Sequence, residues 1–294
     1  MRSPIEGDPS IVFARAKSGI RSSRRTTITL VLATAFLACA ACGTKGGSSS
    51  TAGPTAGMVS PTNGAVPAAV VDPSTVGSIT GIVTLIGPPP APRLIYMTAE
   101  PMCDRQHPTP VVSPEVVVGK DGALANAVVF IKSGLENYSF AAPKDAVHLS
   151  QKGCMYDPHV LALMVGQTLE VSNDDQTLHN VHMMAKINPS TNRGQAGGQP
   201  AIQESFSQEE FAIPIQCNIH PWMRSYAFVF KSPYFEVTPN SGKFELKNLP
   251  PGNYTIAAWQ ERYGTLEQRV ALGANESKMI SFAFDAGAAQ AANR

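Results

Sequence analysis

From Ser78 onward, hydrophobic positions fall in short, β-branched runs separated by turn residues. The run 79–86 stops at Gly87 and the triplet Pro88-Pro89-Pro90, and runs at 116–118 and 127–131 flank a turn at Lys120-Asp121-Gly122. Further runs follow at 147–149, 160–165, 168–171, 181–184 and 226–231, then at 243–246, 254–259, 266–271 and 278–284. Strands at this spacing, with no helical period between them, predict an all-β chain of one or two sandwiches. The 24 glycines and 24 prolines fit a turn-rich chain of this kind.

The first 77 residues read differently. Arg21, Arg24 and Arg25 precede an uncharged run over 28–41, the charged and apolar regions of an export signal. That run is too short to span a bilayer, and no apolar span of membrane length follows it. Cys42, behind Ala40-Ala41 and ahead of Gly43, resembles a bacterial lipoprotein cleavage site, with Cys39 where Leu is usual. A plain signal peptide cut nearby is the alternative, and Arg24-Arg25 as a twin-arginine signal is a weaker one, because polar Thr26-Thr27 follow. Residues 42–77, made of small residues with almost no charge, are expected to form a flexible lipidated tether. Residues 286–294 are expected to be a disordered tail.

The 294 residues hold 23 basic and 22 acidic side chains. A cut before Cys42 removes Arg2, Arg15, Lys17, Arg21, Arg24 and Arg25 together with Glu6 and Asp8, leaving 17 basic against 20 acidic residues, a net charge of −3. Such a balance excludes a basic nucleic-acid binder. The chain is expected to meet a membrane only through its lipid anchor and to reside in the periplasm or cell envelope.

The densest chemistry lies in Cys217-Asn218-Ile219-His220-Pro221-Trp222-Met223, with a thiol, an imidazole and a thioether in one loop. Upstream, Asn173-Asp174-Asp175-Gln176-Thr177-Leu178-His179-Asn180-Val181-His182 brings a second imidazole to a strand start. Two His, one Cys and a weak axial Met form the ligand set of blue-copper sites, whereas zinc prefers Cys and His without a thioether. These two segments, and the glycine-turn strand Val165-Gly166-Gln167-Thr168-Leu169-Glu170-Val171-Ser172-Asn173 before them, resemble the cupredoxins, amicyanin and plastocyanin in particular. The Cys-x-x-His-x-x-Met spacing is similar to that of amicyanin. The resemblance covers about 146–231 and implies a Greek-key β-sandwich binding one copper ion, with His179, Cys217 and His220 as equatorial ligands and Met223 as the axial one. It further implies that Asn180 hydrogen-bonds the ligand loop near Asn218, and that a redox partner docks near His220 and Trp222.

Other polar residues carry less. His182 stands an odd step from His179 and is expected to face away from the ligands. His107, His148 and His159 are expected to be ordinary hydrogen-bonding residues, with a second metal at His159 or His182 as the alternative. Asp174-Asp175 and Glu209-Glu210 lie in polar turns and read as solvated charge. With Cys42 and Cys217 assigned, Cys103 and Cys154 are left to pair as a disulfide in an exported chain; alternatively, Cys103 and His107 form a separate site. No nucleophile elbow, phosphate loop or His-Glu-x-x-His occurs, so an enzyme is not expected.

The segment Gly242–Ile256, with its Pro250-Pro251-Gly252 turn between alternating strands, resembles carboxypeptidase regulatory-like (transthyretin-like) sandwiches. About fifty residues are too few for such a sandwich alone, but Gly81-Ile82-Val83 and Asn126-Ala127-Val128-Val129-Phe130 resemble its first half. The expected organisation is therefore a split module, 78–144 with 232–285, and a copper domain at 145–231 inserted in it; a tandem arrangement is the alternative. The functional expectation is an exported blue-copper protein that carries single electrons. Copper delivery without redox turnover and carbohydrate binding or adhesion at the cell envelope are the alternatives.

Overall fold

The computed structural model describes residues 69–287. The export signal, Cys42, most of the tether and the last seven residues lie outside the described residues. The end of the expected tether is ordered: Ala69 bridges to Tyr138, and Asp72 Oδ1 accepts from the Ser74 backbone N–H at 2.9 Å in a tight turn.

The strands run β1 Gly77–Ile86, β2 Leu94–Ile95, β3 Val111–Val112, β4 Val128–Ser133, β5 Val147–Lys152, β6 Met155–Asp157, β7 Val160–Met164, β8 Thr168–Asn173 and β9 His179–Met183. They continue as β10 Thr191–Gln195, β11 Ile202–Ser205, β12 Glu210–Gln216, β13 Arg224–Phe230, β14 Phe235–Val237, β15 Lys243–Leu249, β16 Gly252–Gln260, β17 Gly264–Leu272 and β18 Ser277–Asp285. Among the described residues, a short α-helix, Pro101–Asp104, and a single 3-10 turn, Lys120–Gly122, interrupt them. The all-β expectation therefore holds. The strand expected over 116–118 does not form; those residues make a turn with a single bridge from Val118 to Leu124.

Two sandwiches account for all but β2 and β3. One joins the sheets β10-β9-β12-β13-β7 and β11-β8-β5-β6, all drawn from one continuous stretch of chain. The other joins β15-β1-β18 to β14-β4-β16-β17, with strands from both sides of that stretch. In this composite sandwich β1 pairs in parallel with β18 from Ser78↔Ser277 to Ile86↔Asp285, and antiparallel with β15. Its core contains Ile79, Val83, Ile131, Phe244, Ile256 and Phe282.

Unbroken apolar runs mark where the two sandwiches meet. Along β4, Val129 and Ile131 point into the composite core, while Val128 and Phe130 point the other way, onto Phe228, Phe230 and Val160. Along β13, Ala227 and Val229 serve the contiguous core and Phe228 and Phe230 the seam. Burial on both faces removes the usual apolar–polar alternation of a strand. Phe228 packs on Trp259 with ring centroids 4.9 Å apart, and Phe130 on Phe230 at 5.0 Å. Beside the rings, the His159 Nε2–H donates to Glu261 Oε2 at 2.6 Å and the Tyr226 hydroxyl to Glu261 Oε1 at 3.1 Å. His159 is thus a buried inter-sandwich contact.

Candidate metal centre

At one end of the contiguous sandwich, the β8–β9 turn delivers His179 and the β12–β13 loop delivers Cys217 and His220. Gly166, at φ +80°, allows the turn from β7 into β8. Met223 closes the ligand loop on itself: its N–H donates to the His220 carbonyl at 2.9 Å, and its carbonyl accepts from the Cys217 N–H at 3.2 Å. Loop and turn are joined by Asn180, whose Oδ1 accepts the Asn218 N–H at 2.7 Å and whose own N–H lies 3.5 Å from the Cys217 sulfur.

The donor atoms of His179, Cys217 and His220 all lie within 4.8 Å of one another. The two Nδ1 atoms are 2.9 Å apart, and Cys217 Sγ is 3.6 Å from His220 Nδ1. Those spacings fit one ion about 2.0–2.3 Å from each donor, as in nitrogen- and thiolate-bound metal sites. All three are almost wholly buried, as is Met223. His182 stands apart, half-exposed, with Nδ1 3.3 Å from Asn218 Oδ1.

Charge is arranged to favour a thiolate. Burial disfavours the ionised Cys217, yet hydrogen bonds from His179 and from the Asn180, His220 and Ile219 N–H groups outweigh it and hold its pKa below the ordinary thiol value. Burial likewise opposes charge on His179, but Asp175 and Cys217 together push its pKa up. His220 is shifted down, by burial first and then by the neighbouring His179.

Asp175 corrects the sequence reading. It is buried rather than solvated: it accepts the Gly153 and Cys154 N–H groups at 2.8 and 2.7 Å and faces His179 Nε2 at 2.9 Å. This fixes the outer nitrogen of His179 as the donor to the carboxylate and turns Nδ1 toward Cys217 and His220. Glu210 is also buried rather than solvated, because a bulge at Ala212 (φ +51°) turns it inward to accept from the Lys186 and Asn188 N–H groups. Asp174 is exposed, as expected, whereas Glu209 is partly buried and accepts the Lys231 N–H at 3.2 Å. The signal for Asp175 was its place four residues before His179, with Asn173 Oδ1 accepting its N–H at 3.0 Å.

Cys103 and Cys154 form a disulfide, with S–S 2.06 Å and Cα–Cα 5.7 Å across 51 residues. Although Cys103 lies between β1 and β4 in sequence, it packs with Ile95 and Met97 into the contiguous core. Residues 94–112 therefore form a flap over the metal end rather than part of the composite sandwich. Cys103 Sγ sits 3.7 Å from His220 Nε2, and His220 is 1% exposed. The expected docking patch thus has no histidine edge at its surface. Trp222 is half-buried and donates its Nε1–H to the Cys154 carbonyl at 3.0 Å, while Ile219 is exposed. His107 is no ligand of a separate Cys103 site, its Nε2 lying 2.6 Å from the Gly153 carbonyl.

No family model and no curated protein matches the chain. Among solved structures it is similar to cupredoxins over about a third of its length. A mutant of amicyanin is 23% identical, covering 34% of this chain and 97% of that one, at a TM-score of 0.27. A purple cupredoxin from Nitrosopumilus maritimus is 23% identical, covering 29% and 99%, at 0.25. A Cu-containing nitrite reductase from Thermus scotoductus SA-01 is 21% identical, covering 31% and 24%, at 0.28; the chain spans about a quarter of that enzyme's length.

Proposed function

We propose that this chain is an exported blue-copper protein that carries single electrons between redox partners. The observation that carries the reading is the buried convergence of His179, Cys217 and His220 donor atoms within 4.8 Å; Met223, buried in the same loop, would add a thioether. When bound, copper would supply a one-electron step between Cu(I) and Cu(II), and a thiolate with two imidazoles and a thioether suits both states. The protein's part is to hold the donors still: Asn180 ties the two ligand segments together, and Asp175 fixes the His179 ring. Little then has to move when charge changes. Burial keeps water from the thiolate.

Export, lipidation at Cys42 and a redox protein as partner belong to the same proposal, supported by the signal-like N-terminus. The composite sandwich serves in this reading as a transthyretin-like platform that orients the metal end. Its split across the chain is supported by the pairing of β1 with β15 and β18. A second reading, copper holding without redox turnover, is favoured by the flap over His220.

A visible absorption and electron-paramagnetic spectrum of the full chain after Cu(II) addition tests the proposal. An intense thiolate-to-copper band with narrow hyperfine splitting is expected. A pale spectrum with ordinary splitting would remove Cys217 from the ligand set and the electron-carrier reading with it.

A further inference from the structure

The flap over the metal end has little structure of its own. Its strands β2 and β3 pair over two residues each, and its helix is a single turn of four residues. Neither unit is stable alone in water. What fixes the flap is its attachment: Ile95, Met97 and Cys103 buried in the contiguous core, the His107 contact to the Gly153 carbonyl, and the disulfide to Cys154.

The disulfide touches the supports of both histidines. Its Cys103 sulfur lies 3.7 Å from His220 Nε2 and roofs that ring. Its Cys154 end belongs to the turn whose N–H groups hold Asp175, and Asp175 holds His179. The flap thus covers the outer edge of the His220 ring, opposite the Nδ1 that faces His179 and Cys217.

We propose that the Cys103–Cys154 disulfide is a latch that closes the flap over the metal end and traps the ion there. The inference rests on the copper reading above. Closing the latch forms the S–S bond from two thiols, whose two electrons and two protons pass to a disulfide-bearing oxidant that becomes a dithiol. Opening is the reverse exchange with a dithiol reductant. Both sulfurs are buried in the closed form, so a reductant reaches them only when the flap lifts, and the closed state is correspondingly persistent. The closed latch slows entry as well as exit, so the metal enters fastest before the bond forms.

The test loads the full chain with Cu(I) and follows transfer to an excess of a Cu(I)-selective chelator. It compares the oxidised protein, the protein reduced with a phosphine, and the Cys103→Ser/Cys154→Ser variant. Hydrogen exchange is read in parallel over residues 94–112 and over β9, β12 and β13. Opening the bond is expected to speed copper release by about tenfold or more, since the flap's local opening then costs far less. Amides of the flap should exchange faster while those of the three strands stay protected. Release unchanged despite a freed flap would overturn the gate, and an unaltered flap would overturn the latch. Should the double variant fail to fold, the phosphine-reduced protein decides. If neither the oxidised nor the reduced chain takes up copper, the functional proposal fails instead, and hydrogen exchange still tests the latch.

Discussion

The two sandwiches bury different things. The composite one is filled almost entirely by aliphatic and aromatic side chains; Thr238 and Gln260 are its fully buried polar residues among those described, each serving backbone carbonyls or N–H groups. The contiguous one encloses Gln151, Asn173, Asp175, His179, Asn180, Gln195 and His220 toward its metal end and Asn188 with Glu210 elsewhere. A polar group out of water is costly unless every bond it needs is supplied. The contiguous sandwich therefore commits much of its interior to holding particular atoms in place, whereas the composite one does little beyond packing. The difference separates a scaffold from a site.

Substitutions sharpen or break that contrast. The largest effect is expected from Cys217→Ser, which should remove the thiolate-to-copper band altogether while leaving circular dichroism unchanged; a surviving band would sink the ligand assignment. Next comes Phe228→Ala in the seam, expected to cost about 3–5 kcal/mol by burial and cavity loss, read by denaturant unfolding. That cost should not vary between pH 4 and 7. If the two sandwiches then unfold in separate steps, the seam is what makes them cooperate.

Glu210→Gln should cost about 1–3 kcal/mol at pH 7 by weakening charge-assisted bonds to the 186–188 turn. Here the cost should depend on pH. Burial raises the Glu210 pKa, but the N–H groups around it lower it further, so the folded value lies below the ordinary 4.5. A depressed carboxylate stabilises the fold fully above that ordinary value and loses its contribution as pH falls through the folded one. Wild type and variant should therefore converge in stability as pH falls below that folded value; a constant gap would contradict the assignment. Met223→Leu is expected to keep copper while shifting its potential, and an unchanged potential would argue against axial ligation. His182→Ala should be within about 0.5 kcal/mol of wild type with an unaltered spectrum.

How far these features were legible in the sequence depended on whether a residue's neighbours in the chain were also its neighbours in space. The runs at 127–131 and 226–231 gave away β4 and β13 because burial on both faces leaves an unbroken apolar string. The candidate donors Cys217, His220 and Met223 were visible because the loop that holds them is local. β12 escaped notice, since Pro214 lies inside it and the bulge at Ala212 breaks its alternation. β10, an edge strand with the sequence Thr-Asn-Arg-Gly-Gln, has almost no apolar pattern. The flap was the deepest gap: nothing in residues 94–112 announces that they cross from one sandwich to cover the other, and Cys103 alone hinted at a distant contact. Asp175 was misread for a related reason, because a turn that is polar in sequence becomes buried only once Gly153 and Cys154 close over it.

The parallel pairing of β1 with β18 has a mechanical consequence. The two strands run the same way over nine register pairs, so a pull between Gly77 and Asp285 acts on their opposite ends. The load falls in shear along the ladder, where its hydrogen bonds resist together instead of peeling one at a time. The contiguous sandwich leaves the chain after β4 and returns before β14, so that clamp spares it from the line of force. Tension drawn through the ends of the composite sandwich would leave the spacing of His179, Cys217 and His220 undisturbed.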